Sequence, residues 1–213
     1  MKRFINSILC AVLCLAAVVS YADEEKASVP AAAKDYLACF AAWDNNLHTL
    51  QTNFTQLTEY DGTPISTSKG RIYYAQIGTQ LRLDTLEEEL VTQSALTNKK
   101  QIYILDEKGK EISKISWADW LLGQPNQALF NFGNYTQLLQ KHIATVEHTK
   151  QGVTLRLVPK TTSENYLLYV KLNKENCFPQ AIIIESDLMQ TSATLTNTKV
   201  NSTLPKDTFR GLK

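Results

Sequence analysis

From Gly152 to the C-terminus, apolar and polar residues alternate in short runs: V-T-L-R-L-V-P-K, Y-L-L-Y-V-K-L, F-P-Q-A-I-I-I-E-S-D and T-S-A-T-L-T-N-T-K-V, closing on L-P-K-D-T-F. A period of two sends successive side chains to opposite faces of a strand. These runs therefore predict a β-meander with one dry face and one wetter face. A dry face of that extent has to be buried under a helix, another sheet or a ligand. None of these strands supplies catalytic chemistry, so the sheet reads as a container.

Upstream the period changes twice. From Pro30, Tyr36, Leu37, Phe40, Trp43, Leu47, Leu50 and Phe54 recur at three- and four-residue spacing, which predicts one helical stripe packed on a sheet, with Pro30 in the first turn. After Leu50 the alternation returns. Residues 53–60 and 66–76 flank Asp61-Gly62-Thr63-Pro64 and read as a hairpin. Strands are predicted at 80–86, 89–97, 101–105 and 110–116, with turns at Asn98-Lys99-Lys100 and at 106–109. Residues 117–142 break the pattern with Trp117, Trp120, Leu121, Leu122, Ala128, Leu129, Phe130 and Phe132. Asn134 is expected to cap a last helical stretch containing Leu138 and Leu139. This aromatic insert is expected to lie over the open face of the sheet.

Charge and targeting narrow the reading. Lys2 and Arg3 precede an apolar run over 8–19, and Ser20-Tyr21-Ala22 follows as a small-x-small cleavage site. Residues 1–22 read as a cleavable signal peptide, with 23–29 a charged leader, leaving 23–213 as a single domain with a substantial core. The apolar run falls short of the ~20 residues a spanning helix needs. Cys10 and Cys14 each follow a leucine where lipid attachment requires a small residue, so a lipoprotein reading is rejected. The chain carries 22 basic and 21 acidic residues. Losing Lys2 and Arg3 leaves it close to neutral, with no electrostatic case for nucleic acid. Export makes a Cys39–Cys177 disulfide chemically accessible; the alternative is one buried and one exposed thiol, and sequence alone does not choose.

The chain carries little recognisable catalytic chemistry. His48, His142 and His148 have no partners at ligand or triad spacing, and no G-x-S-x-G elbow, P-loop or H-E-x-x-H motif occurs. Glu87-Glu88-Glu89 reads as a solvated turn or strand edge. Neither an enzyme, a cofactor nor a metal site is expected.

The remaining elements, taken in order, resemble the family of LolA, the periplasmic outer-membrane lipoprotein carrier. The resemblance rests on L-x-x-L-Q-T-N-F-T-Q from Leu47, Gly70-Arg71-Ile72-Tyr73-Tyr74, I-Y-I-L-D-E-K-G-K from Ile102, L-x-L-V-P-K ending at Lys160, P-Q-A-I-I-I-E-S-D from Pro179, and N-S-T-L-P-K-D-T-F from Asn201. It covers nearly all of the mature chain. It implies an α+β, mostly β fold: an unclosed, strongly curved antiparallel half-barrel, covered by an N-terminal helix and short insert helices. It further implies a periplasmic monomer that takes acyl chains of a lipoprotein, or another acyl lipid, from an inner-membrane release complex to an outer-membrane receptor. An assembly factor holding an apolar protein segment in the same half-barrel is the competing reading.

Phe54, Ile72, Tyr74, Leu81, Leu83, Ile102 and Ile104 occupy alternate strand positions, so they are assigned to one face. The resemblance makes that face lipid-binding, with Trp117, Trp120, Leu121, Leu122, Leu129 and Phe130 as the cover. One departure stands out. The family carries Arg-Pro after the strand starting at Gly70, where the arginine latches the closed lid; here Gln76-Ile77 stands in its place, and Arg82-Leu83 replaces a frequent Arg-Trp. Gln76 and Arg82 are the latch candidates, and the lid is expected to be held by apolar contacts and neutral hydrogen bonds.

Overall fold

The computed structural model describes residues 34–124, 126–149, 152–161 and 165–212. The signal peptide, its cleavage site, the leader and the Pro30 helix start lie outside the described residues. The elements, in order, are α1 (Tyr36–Asn45), β1 (Thr49–Tyr60), β2 (Thr63–Ala75), a 3-10 turn at Ile77–Thr79, β3 (Gln80–Glu87), β4 (Leu90–Thr97), β5 (Gln101–Asp106) and β6 (Glu111–Ser116). Then come α2 (Trp117–Leu122), a 3-10 turn at Gln127–Phe130, α3 (Tyr135–Lys141), β7 (His142–Thr149), β8 (Gly152–Pro159), β9 (Leu167–Leu172), β10 (Pro179–Ser186) and β11 (Met189–Val200).

All eleven strands form one sheet in the order β6-β5-β4-β3-β2-β1-β11-β10-β9-β8-β7. Every neighbouring pair is antiparallel. The sheet is unclosed, with β6 and β7 as its edges. Those two edge strands are consecutive in sequence, and the only chain between them is the 117–141 insert. The connection therefore has to run from one edge of the sheet to the other. Connections that cross the face of a sheet bury their apolar residues against it. Leu129, Phe132 and Tyr135 are fully buried there.

Local chemistry explains the hairpins. Asp61 and Gly62 have φ of 46° and 72°, the paired positive values of the tight turn that matches strand twist, and so join β1 to β2. Glu88 and Glu89 take φ of 47° and 68° between β3 and β4, so the acidic run is a turn. Edge strand β6 carries Glu111 and Lys114 on an exposed surface, charges of the kind that discourage edge-to-edge pairing.

Four expectations need correcting. The helical stripe ends at Asn45, where Asn46 Nδ2 donates to Ala42 O at 2.8 Å. Leu50 and Phe54 belong to β1, opposite Tyr74 and Gly70, and a three-to-four spacing of strand residues had imitated a continuing helix. Asn134 stands at the N-cap of α3 without making a side-chain cap. β7 extends the C-terminal meander one strand upstream of Gly152. Finally, L-P-K-D-T-F is a turn segment with no strand; Pro205 O accepts from both the amide and the hydroxyl of Thr208.

Cys39 and Cys177 form a disulfide with a Cα–Cα distance of 6.0 Å, the pairing that the sequence had left open. It ties α1 to the β9–β10 turn. Lys34 Nζ adds bonds to Lys174 O at 2.7 Å and Glu175 O at 2.8 Å on the same turn.

Candidate functional site

The sheet register gathers the seven predicted strand residues on one face. Ile72 pairs with Leu83 and Tyr74 with Leu81; Leu83 and Ile104 both stand opposite Ala95, and Ile102 opposite Thr97. They divide by depth. Ile72, Leu81 and Ile102 are fully buried and Tyr74 nearly so, with the Tyr74 ring 6.5 Å from that of Phe132 in the insert. Phe54, Leu83 and Ile104 instead line a cavity of about 190 Å³, roofed by Trp120 and Phe130. Gly70 makes this possible. A Cβ there would come within 2.4 Å of the Phe54 ring and 2.2 Å of Asp84 O, so only glycine lets that ring lie across β2.

The insert covers the face unevenly. Leu129 is fully buried and Phe130 nearly so. Trp117 and Trp120 stack at 5.0 Å, and Trp120 meets Phe130 edge-on at 5.2 Å. Helix α2 itself has no fully enclosed side chain, and Leu122 is 78% exposed, so this part of the cover is held lightly. The middle of the insert is pinned by a residue the sequence did not flag. Asn126, completely buried, donates from Nδ2 to Ile182 O of β10 at 3.0 Å.

A larger cavity, about 810 Å³, lies between the insert and the other half of the sheet. Its apolar lining comprises Leu121, Leu122, Ala128, Leu138, Leu168 and Ile184, and Lys141, His142 and Lys160 also line it. From the predicted set only Leu121 and Leu122 take part. The β9 and β10 contributors were missed, although L-L-Y-V-K-L and A-I-I-I-E-S carry the same period-two signal as the chosen strands. Gln124 borders both cavities, so the two meet at this side chain.

Neither latch candidate reaches the insert. Gln76 is exposed, and its Oε1 accepts from His48 Nδ1–H at 2.7 Å. Arg82 alternates away from Leu81 and Leu83 to the opposite face. There its guanidinium donates to Asp84 Oδ1 (2.7 Å), Thr208 O (3.0 Å) and Ser94 Oγ (3.2 Å), tying the C-terminal segment to the sheet. The expectation of a lid held without charge is also corrected. Lys99 Nζ donates to Phe132 O at 2.8 Å. Asp44 of α1 accepts from Gly133 N–H and Tyr135 N–H, both at 2.7 Å, capping α3 in place of Asn134. The Lys99 ammonium also sits 5.7 Å from the centre of the Tyr74 ring. Gly133 has φ of 75°, and a Cβ there would come within 2.0 Å of Tyr74 Oη, so the tight approach of this turn to the sheet requires glycine.

Burial sets the charge states in this cluster. It lowers the Lys99 pKa to about 8, against a smaller opposing pull from Asp44. Burial raises the pKa of Asp44, with the Gly133 and Tyr135 amides pulling it back. Tyr74 and Tyr135 are both raised by burial and by Asp44, so they ionise above the Lys99 range. The folded pKa of Lys99 lies below the unfolded 10.5, so the unfolded chain holds more protons between those values and folding stability from this group rises with pH. Urea unfolding of the wild type and of Lys99→Met at pH 7.5 and pH 10 should show the larger gain in the wild type. Equal gains would mean that Lys99 is not titrating in a buried place.

Among the described residues no cluster of His, Cys, Asp and Glu could hold a metal ion, and no helix is long and apolar enough to cross a membrane. Fold and site define a sheet-and-cover protein with apolar space beneath the cover. The chain belongs to the LolA family: the family model for outer membrane lipoprotein carrier protein LolA matches residues 45–211. Comparison with curated proteins gives no match. The solved structure of a LolA superfamily protein from Nitrosomonas europaea is 12% identical, covering 83% of this chain and 98% of the other, with a TM-score of 0.48. MucB is 16% identical over 83% of this chain but only 61% of its own length, with a TM-score of 0.51. Lipoprotein LppX of Mycobacterium tuberculosis is 9% identical over 80% and 95%, with a TM-score of 0.44. At such identity the MucB likeness speaks to the fold alone.

Proposed function

We propose that this protein is a periplasmic carrier of acyl lipid or acylated lipoprotein, holding the hydrocarbon beneath the 117–141 insert. The observation that carries this reading is the space of about 810 Å³ with Leu138, Leu168 and Ile184 among its lining, in a member of a lipoprotein-carrier family. Its size falls in the roughly 300–1,000 Å³ range of ligand sites. Each CH₂ taken from water is worth ~0.8 kcal/mol, so acyl chains need a dry container to cross an aqueous compartment. Release needs a cover that gives way, and α2, with no enclosed residue, is the part of the insert suited to move. Displacing the Gln124 side chain, which lines both cavities, joins them and gives room for more than one chain.

Residues 1–22 direct export in this reading, and the Cys39–Cys177 bridge agrees with an oxidising compartment. Cargo is collected from an inner-membrane release complex and passed to an outer-membrane receptor. No bond is made or broken. Native mass spectrometry of protein purified from its own periplasm tests this: acylated cargo on mature protein beginning at Asp23 is expected. A stable protein partner without acyl cargo would instead establish the assembly-factor reading.

A further inference from the structure

The two cavities differ in charge. None of the described residues lining the smaller cavity carries a full charge; Gln56, Ser68, Thr85, Gln93 and Gln124 are its polar members beside the tryptophan and phenylalanine rings. Among the described residues, the larger cavity has Lys141 and Lys160 in its lining and no aspartate or glutamate. Those lysines are brought together by the fold. Lys141 ends α3, Lys160 follows β8, and Lys160 N–H donates to Lys141 O at 3.0 Å, so the two stand side by side. Lys160 Nζ donates to Gln140 O at 2.7 Å, which leaves its ammonium two further N–H groups. Among the described residues the ion pairs are Arg71–Glu89 and Arg82–Asp84, and neither lysine takes part.

His142, which lines the same cavity, is already committed. Its Nδ1–H donates to Leu138 O at 2.7 Å, and Nε2 lies 2.9 Å from the Tyr166 hydroxyl. The lysines are therefore the groups free to meet a ligand's charge. We infer that the larger cavity is selective for an amphiphile with an anionic headgroup, carboxylate or phosphate, whose chain lies against Leu138, Leu168 and Ile184 while Lys141 and Lys160 hold the head. This rests on the carrier reading and names its cargo class. A chain paired with two exposed cations is released by competition or by salt, which suits a carrier.

The test displaces a hydrophobic fluorescent dye from the full mature protein, below micelle-forming concentrations. Laurate, its neutral glycerol monoester, dodecyl phosphate and inorganic phosphate are compared. Laurate and dodecyl phosphate should displace dye at about ten-fold lower concentration than the monoester, and the gap should shrink in high salt. In Lys141→Gln/Lys160→Gln the gap should close, with the monoester unaffected. Both lysines are exposed, and a matching thermal midpoint confirms that the variant is folded. Equal displacement by charged and neutral amphiphiles, or a gap that survives in the double variant, overturns the selectivity and leaves the carrier reading standing. Displacement by inorganic phosphate alone makes the site a simple anion site and overturns the proposal. If no amphiphile displaces the dye, the carrier reading falls with it.

Discussion

Replacing Asp44 with alanine should cost about 3 kcal/mol of folding stability, because two buried N–H donors then lose a charged acceptor worth roughly 1.5–3 kcal/mol each, less the cost of burying the carboxylate. Asp44 is 2% exposed, and its two oxygens take the Gly133 and Tyr135 amides at the start of α3. It is also the attractive partner for Lys99. Removing it therefore leaves α3 uncapped and a buried ammonium without its counter-charge. Asp44→Asn keeps the shape and one acceptor, and should cost about half as much. A urea midpoint shift at unchanged m value reports both. A loss under 1 kcal/mol for the alanine variant would show that the carboxylate does not hold the insert. Weakened docking of α3 should also admit more dye beneath the cover than in the wild type.

Asp44 illustrates what a single sequence reveals and what it hides. Period-two alternation marked every strand but β7, since a strand's alternation is local and survives without knowledge of its neighbours. The failures have two causes. Leu50 and Phe54 continued the spacing of α1 because their burial comes from tertiary pairing with β2 and β11, which no local period reports. Residues 142–149 were passed over because this edge strand exposes Ile143 at 60% and so lacks a clean dry face.

The site was half legible for the first of these reasons. Phe54, Leu83 and Ile104 declared their face by parity, and Trp120 and Phe130 by aromatic density. The polar groups that hold the insert lie far from it in sequence: Asp44 on the helix, Lys99 in the β4–β5 turn. Neither residue is unusual locally, and Lys99 sits in a turn that reads as plain Asn-Lys-Lys. The topology itself offered the missing clue. Once both meanders join through β1 and β11, the insert must link the two free edges, and groups from other elements beneath it become its supports.

Removing the disulfide, as Cys39→Ser/Cys177→Ser or by reductant, should destabilise the protein by about 2–5 kcal/mol, the range for native bridges that close long loops. The bridge spans 138 residues of sequence, so it restricts the unfolded chain severely. In a chain of this size that loss corresponds to a fall in midpoint of roughly 5–15 °C. The folded state feels it first at α1, whose only buried residues are Phe40 and Asp44. Trp43 and Phe40 also contact Tyr135, and Trp43 meets Phe178 next to the bridge, so α1 and α3 share one aromatic cluster. Loosening α1 withdraws Asp44 from α3 as well. Hydrogen exchange should therefore speed up in both helices when the bridge is reduced, while the amides of β2 and β3 keep their protection relative to the weakened whole. Exchange confined to α1 would separate the bridge from the cover. A midpoint unchanged by reductant, with two free thiols titrated in the native protein, would mean that Cys39 and Cys177 do not pair.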